Sequence, residues 1–167
     1  MKTKQYLRIT CLLLVLAVIF TACEEDDDTN NYKQAEINHY GFDFSAGAAD
    51  MDNWENNDGE TISWQPGAAQ HPDYPSNDVY IWWRNSAVSQ DGINLTRDMG
   101  PVELSSVKEA PAEWDAAPDI LPLLEDHVVV AKCRDGYVKF KVLSADTANF
   151  WTANVEYYFS ETAQFDE

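Results

Sequence analysis

The chain has 167 residues and a formal net charge of −18 at pH 7, because 29 Asp and Glu oppose only 11 Lys and Arg. Such a negative field repels a phosphate backbone, so the composition excludes a nucleic-acid-binding protein. Six Trp, eight Tyr and seven Phe supply large apolar side chains for a core. The length suits a single domain with a short leader.

The first residues have the three parts of a secretion signal. Lys2, Lys4 and Arg8 give a positive start, and an apolar run extends from Ile9 to Phe20. At a rise of ~1.5 Å per residue, this run is roughly 18 Å long as a helix, shorter than the ~30 Å hydrocarbon core of a bilayer. It is therefore typical of a signal peptide, and we expect residues 1–22 to be removed on export.

The apolar run ends in Phe20-Thr21-Ala22-Cys23. This sequence resembles the lipobox of bacterial lipoproteins, whose cysteine receives a diacylglyceryl group and becomes the first residue of the mature chain. Phe20 stands where that motif usually has leucine. The resemblance implies lipidation of Cys23 and attachment to a membrane through the lipid. The alternative is an ordinary signal peptide that is cleaved nearby, with Cys23 unmodified.

Five consecutive acidic residues, 24–28, follow the cysteine. Such a run stays solvated and extended, so residues 23–36 are predicted to form a tether. Because the signal carries three cations and no acid, its removal takes the net charge from −18 to −21. Acids directly after the lipidated cysteine resemble the surface-export signal of Bacteroidetes lipoproteins. That resemblance implies the outer-membrane cell surface, with the periplasmic face as the alternative.

Short strands separated by polar loops are predicted for the first half of the domain, which we assign to residues 37–162. The predicted strands are His39–Ser45, Thr61–Trp64, Val79–Trp83 and, more weakly, Pro101–Val107. Residues 50–60 and 65–77 are predicted loops. Residues 111–122 are expected to be irregular, and Leu121–Glu125 has room for one helical turn at most.

The C-terminal third predicts an antiparallel meander of three strands, Val128–Cys133, Tyr137–Leu143 and Phe150–Phe159. Asp135-Gly136 favours a hairpin turn between the first two, because this pair readily adopts positive φ. Alternation along the last strand places Val155 on its buried face and Glu156 on the opposite face. In the strand before it, alternation places Lys139 and Lys141 on the polar face. The predicted fold class is therefore all-β, an antiparallel sandwich-like domain.

Cysteine usage excludes an intramolecular disulfide in the mature chain. Cys11 leaves with the signal and Cys23 carries the lipid, so that Cys133 is the remaining thiol. We expect it to be a buried structural cysteine in or beside the meander.

Several stretches are similar to the HmuY-like haem-binding lipoproteins of Bacteroidetes. They are the strand and turn at 41–47, the strand that runs into Arg84-Asn85, the segment 107–111, and the closing strands 128–159. The resemblance covers most of residues 40–159 and implies an all-β HmuY-like domain. In that family the haem ligands lie in a long insertion before the last three strands. Here the gap from Ala116 to Asp126 is short and contains no His or Met.

The family's haem ligands therefore have no counterpart in this sequence. Other axial ligands for haem iron would be His39, His71, His127, Met51 or Met99. Each is more simply interpreted as a loop or strand-edge residue. We accordingly predict no cofactor and no metal, and keep haem binding as an alternative.

Two further patterns bear on ligand binding. Tyr80, Trp82 and Trp83 form an aromatic cluster with large groups on both faces of a strand. Core packing is the first interpretation, and an exposed platform for a sugar ring or a flat macrocycle is the second. The acidic loop 50–60 has oxygen donors of the kind calcium prefers, but its spacing does not fit a calcium loop, because Trp54 occupies a ligand position.

The predicted function is a surface-exposed, non-catalytic ligand-binding lipoprotein of the outer membrane. The sequence has no HExxH, GxSxG or glycine-rich phosphate loop, so an enzyme is not predicted. Two alternatives remain: a haem-binding, haemophore-like protein, and a glycan-binding or structural and adhesion lipoprotein.

Overall fold

The computed structural model describes residues 31–63, 81–86, 95–115, 120–146, 148 and 151–166. They form eight strands: β1 Lys33–Ile37, β2 Gly59–Ser63, β3 Ile81–Asn85, β4 Thr96–Asp98, β5 Ile120–Pro122, β6 Val128–Lys132, β7 Tyr137–Asp146 and β8 Thr152–Ser160. The helical segments in this part of the chain are two short 3₁₀ turns, Trp54–Asn56 and Leu104–Ser106. A helix of the length and apolarity needed to cross a membrane does not occur among these residues.

The strands form two antiparallel sheets. One has five strands in the order β1-β8-β7-β6-β4, and the other has three in the order β2-β3-β5. The consecutive neighbours β6, β7 and β8 are the predicted C-terminal meander, which is confirmed together with the all-β class. The hairpin between β6 and β7 is closed by the N–H of Cys133, which donates to the carbonyl of Gly136 at 2.9 Å.

The main core lies between the two sheets. Ile81, Trp83 and Leu121 of the small sheet belong to one buried cluster with Phe140 and Val155 of the large sheet. Phe44 enters this cluster from the loop after β1, and its ring stacks on Phe140 with centroids 5.6 Å apart. The domain is therefore a sandwich whose interior consists largely of aromatic and β-branched side chains.

A second apolar cluster covers the opposite face of the five-stranded sheet. Val128 and Val130 point into it from β6, where Leu104, Val107 and Phe165 pack on them. Because both faces of the large sheet are covered, the expectation that Lys139 lies on a polar face is wrong: its side chain is fully buried.

Both predicted ends of the domain need correction. β1 begins at Lys33, inside the stretch predicted as tether, and pairs in register with β8 from Lys33↔Tyr157 to Ile37↔Ala153. At the other end, Phe165 is buried in the second cluster, beyond the predicted limit at residue 162. The folded part of the chain is therefore longer than predicted at both ends.

Three local predictions are also wrong. His39–Ser45 is a turn-containing segment in which Phe42 and Asp43 make only single bridges, and its Gly41 has φ +90°. Pro101–Val107 contains a 3₁₀ turn in place of a strand. The stretch 111–122, expected to be irregular, ends in β5, which among the described residues is an edge strand next to β3, where a proline such as Pro122 is tolerated.

Candidate functional site

Two residues of the predicted aromatic platform, Trp82 and Trp83, do not form an exposed surface. Trp83 is 0% exposed and Trp82 is 5% exposed, so both indoles belong to the interior of the domain. Trp83 contacts Phe44 and Phe140 at centroid distances of 5.8 Å. Tyr80 lies outside the described residues, as do Cys23 and His71.

A different group of aromatic side chains surrounds a cleft of about 220 Å³. We call it the aromatic cleft; it is lined by His39, Tyr40, Gly41, Asp50, Met51, Trp54, Asn57, Gly59, Glu60 and Ser86. The exposed large apolar side chains in the described part of the chain are Tyr40, Met51, Trp54, Leu143 and Trp151. Three of these five line the cleft, and Trp54 is the most exposed of them, at 75%. Among the described residues, the exposed large apolar side chains are thus concentrated at one place.

The loop that carries Trp54 is held in a fixed shape by Asp50. One carboxylate oxygen of Asp50 accepts the backbone N–H of Asn53 at 2.8 Å and that of Asp52 at 3.1 Å. The other oxygen accepts the side-chain amide of Asn56 at 2.7 Å. These hydrogen bonds, that from Asn56 first, lower the pKa of the Asp50 carboxyl below its ordinary value. Asp50 is therefore an ionised side chain in a structured loop.

Asn57 ties this loop to the opposite wall of the cleft. Its amide oxygen accepts the N–H of Asp50 at 2.8 Å, and its amide nitrogen donates to the carbonyl of Tyr40 at 3.1 Å. Gly41 is needed beside it for two reasons: φ is +90°, and a Cβ on this residue would lie 2.6 Å from the Asn57 amide nitrogen. The two walls are thus fixed relative to each other by a buried amide.

Aromatic contacts continue from the cleft toward the start of β8. The ring of His39 lies 4.0 Å from that of Tyr40 and makes an edge contact with Trp151 at 5.6 Å. Trp151 adopts φ +57°, which is uncommon for a residue with a side chain. The hydroxyl of Thr61 donates to the Trp151 carbonyl and links this residue to β2. Trp151 is therefore a fixed neighbour of the cleft.

The two acidic side chains of the aromatic cleft differ in their partners. Glu60 forms an ion pair with Arg84, whose Nε donates to it at 2.9 Å. Asp50 receives only neutral donors among the contacts described above. The remaining negative charge of the cleft consequently belongs to Asp50.

A buried donor lies next to the cleft. The indole nitrogen of Trp83 has no hydrogen-bond partner in the part of the chain that the structure describes. The Trp83 ring packs against Gly59, which lines the cleft. A Cβ on Gly59 would lie 2.7 Å from Trp83 Cε2, the ring carbon bonded to this nitrogen. A glycine is therefore required where the core indole approaches the cleft.

The candidate haem ligands are distributed unevenly. His39 and Met51 both line the aromatic cleft. His127 is elsewhere, with its Nδ1 2.9 Å from the Asp98 carboxylate, and Met99 packs against the second cluster. Across the described ranges no group of three or more His, Cys, Asp or Glu side chains is arranged to hold a metal ion, and this includes the described loop 50–60.

Cys133 is a buried free thiol, and burial raises its pKa well above the ordinary value. A thiol with a raised pKa carries little thiolate at neutral pH and is a poor nucleophile. The expected structural role of Cys133 agrees with this environment.

Comparison of the chain with protein-family models, with curated proteins and with solved structures found no match. The likeness to HmuY-like lipoproteins consequently stays a prediction from short sequence stretches. The aromatic cleft was not predicted from the sequence. Trp54 and Met51 were its available signal, because two large apolar residues stand in a loop that is otherwise polar.

Proposed function

We propose that this chain is a lipid-anchored, non-catalytic binding protein of the outer-membrane surface, and that its ligand docks in the aromatic cleft. The supporting observation is the concentration of exposed apolar side chains there: Tyr40, Met51 and Trp54 line it, and Trp151 contacts His39 at its edge. A patch of exposed apolar side chains around a concave surface is the usual sign of a binding site.

The rigidity of the walls favours binding. Asp50 fixes the loop and Asn57 joins it to Tyr40, so little ordering entropy is lost when a ligand arrives. The Asn57 amide and three acceptor positions of Asp50 are committed to internal hydrogen bonds, as expected of a preformed binding surface.

The volume of the aromatic cleft limits the size of its ligand. About 220 Å³ is below the ~300–1,000 Å³ of clefts that enclose drug-sized molecules. We therefore infer that the cleft takes one small group, either a whole small molecule or the terminal part of a larger one.

The proposals of a lipid anchor and of a cell-surface location are based on the sequence. The Thr21-Ala22-Cys23 site and the acids that follow it support lipidation and export to the cell surface. Protease added to intact cells is expected to degrade the protein. Protection in intact cells, with degradation after the outer membrane is permeabilised, would contradict surface exposure.

The binding proposal is tested with the full chain, purified from membranes in a polyoxyethylene detergent that contains no sugar. Choline, galactose and haemin are each titrated by calorimetry into the wild type and into Trp54→Ala. Leu143→Ala is the matched control, since Leu143 is an exposed apolar residue that does not line the cleft. We expect at least one probe to bind the wild type and the control more tightly than Trp54→Ala. Identical responses of all three proteins to every probe would contradict a binding role for the cleft.

Haem is the second candidate ligand, because His39 and Met51 line the same cleft and both residue types ligate haem iron. Against it stand the small volume of the cleft and the charge of Asp50, which repels the propionates of haem. A sharp Soret band that His39→Ala abolishes would favour haem; an unchanged spectrum of free haemin would exclude it.

A further inference from the structure

Resting on the proposed function, we propose that the aromatic cleft recognises an organic cation, namely an ammonium group on a small carbon skeleton. Three properties of the cleft lead to this ligand class: its charge, its unused hydrogen-bonding capacity and its exposed aromatic faces.

The charge of the cleft is negative. Its titratable side chains are His39, Tyr40, Asp50 and Glu60. Arg84 compensates Glu60, whereas the described contacts of Asp50 are with neutral N–H groups. Asp52 and Glu55, both exposed, add negative charge on the same loop. A cationic ligand is attracted to this site, and an anion is repelled.

The carboxylates of the cleft retain unused hydrogen-bond acceptor positions. Both amide hydrogens of Asn57 are already donated, to the carbonyls of Tyr40 and Asp50. Carboxylates have about four lone-pair positions each and donate nothing when ionised. Asp50 and Glu60 therefore retain acceptor positions, which suit a ligand that brings donors or positive charge.

The aromatic ring faces suit a cation whose charged nitrogen carries apolar groups such as methyls. An ammonium group within ~6 Å of an aromatic centroid is attracted to the negative ring face, and rings arranged around quaternary ammonium groups are a recurrent form of this interaction. Trp54 and Tyr40 both line the cleft and are largely exposed. A methylated ammonium buries apolar surface against these rings while its charge faces Asp50.

The inference is tested by comparing choline with its neutral isostere 3,3-dimethylbutan-1-ol, using calorimetry on the full chain in the same detergent. The two molecules have the same shape and differ in the charge of one atom. We expect choline to bind on the order of tenfold more tightly. Because the preference is electrostatic, raising the salt concentration should reduce it. Trp54→Ala should lose on the order of tenfold in choline affinity, and Leu143→Ala should lose none.

The outcomes separate this inference from the function on which it rests. Equal affinity for choline and the alcohol, or no binding of choline, would contradict the recognition of an organic cation by the cleft. If galactose or the alcohol binds and Trp54→Ala weakens that binding, the aromatic cleft stays a binding site for a neutral ligand. Asp50→Asn gives a further check, with circular dichroism as its folding control. Because it removes the negative charge and also an acceptor of the loop's hydrogen bonds, it should lower both affinities, and that of choline by more. Equal effects on both would contradict the inference.

Discussion

The ammonium nitrogen of Lys139 lies 2.9 Å from the carbonyl oxygen of Val107, and it donates to the carbonyl of Leu104 at the same distance. The side chain is 0% exposed. The ring centroids of Tyr32, Tyr158 and Phe165 lie 5.3–5.6 Å from the nitrogen. A buried cation in β7 thus joins the 104–107 turn to the sheet. Its position inside the second cluster depends on hydrogen bonds and ring faces that replace water.

Lys139→Met should lower the free energy of unfolding by about 1–3 kcal/mol, because it removes the Lys139 donor from the buried carbonyls of Leu104 and Val107, of which Leu104 keeps the N–H of Val107 at 3.3 Å. Lys33→Met is the control, since Lys33 is exposed on the edge strand β1. Urea denaturation of both variants measures the difference. A Lys139→Met variant as stable as the wild type would mean that the cost of burying the charge cancels its hydrogen bonds.

Val155→Asp should destabilise the domain by several kcal/mol, because Val155 is fully buried between the sheets and the new carboxylate has no partner there. Asn154→Asp places the same group one residue earlier, on the exposed face of β8, and should cost little. Thermal unfolding followed by circular dichroism compares the two. Similar melting temperatures would contradict the assigned faces of β8.

Asp58 joins two loops at the end of the sandwich. One carboxylate oxygen accepts the N–H of Phe44 at 2.9 Å, and the other accepts the N–H of Arg134 at 3.0 Å. Asp58→Asn puts an NH₂ group opposite one of these donors and should cost about 1–3 kcal/mol. Asp52→Asn, at an exposed position of the same loop, should be neutral. Equal stability of the two variants in urea would show that the hydrogen bonds of Asp58 to the two loops do not stabilise the fold.

The Asp58 carboxyl also predicts a pH dependence of stability. Burial, reinforced by the charge of Asp43, raises its pKa above 3.8. A carboxyl with a raised pKa in the folded state contributes stability that is present below its unfolded pKa and lost as pH rises through the folded pKa. Between pH 3.8 and that raised pKa, the wild type should therefore lose stability relative to Asp58→Asn. Parallel curves for the two proteins would contradict burial of the carboxyl.

Labelled palmitate should be incorporated into the wild-type chain and not into Cys23→Ala, because the lipobox-like site predicts acylation of that cysteine. Cys133→Ala is the control, since the thiol of Cys133 is buried and its loss should leave labelling unchanged. Equal labelling of the wild type and Cys23→Ala would exclude lipidation at Cys23.

The meander β6-β7-β8 was predictable because its signals are local: alternation along each strand and the Asp135-Gly136 turn. β1 was assigned to the tether because its partner, β8, lies more than a hundred residues later. β4 and β5 are three residues long, too short for a period of two to be seen. Lys139 was assigned to a polar face because nothing in β7 itself indicates that residues 104–107 and Phe165 cover that side.

The aromatic cleft could not be predicted because its lining residues are far apart in the sequence. His39, Trp54 and Ser86 come from three separated segments, and only pairing of the strands brings them together. The aromatic sequence Tyr80 to Trp83 predicts a platform, but the indoles of Trp82 and Trp83 are buried. Among the described residues, the exposed aromatic side chains of Tyr40, Trp54 and Trp151 lie outside the strands.

The most direct test of the central claim is an ¹⁵N–¹H spectrum of the full chain, in which six tryptophans give indole N–H signals. The Trp54 signal is identified by its loss in Trp54→Phe. On titration with choline we expect that signal to move and saturate, while the Trp114 signal stays in place, since Trp114 packs on Tyr137 in the second cluster. An unmoved Trp54 signal at choline concentrations that saturate the calorimetric response would contradict binding in the aromatic cleft.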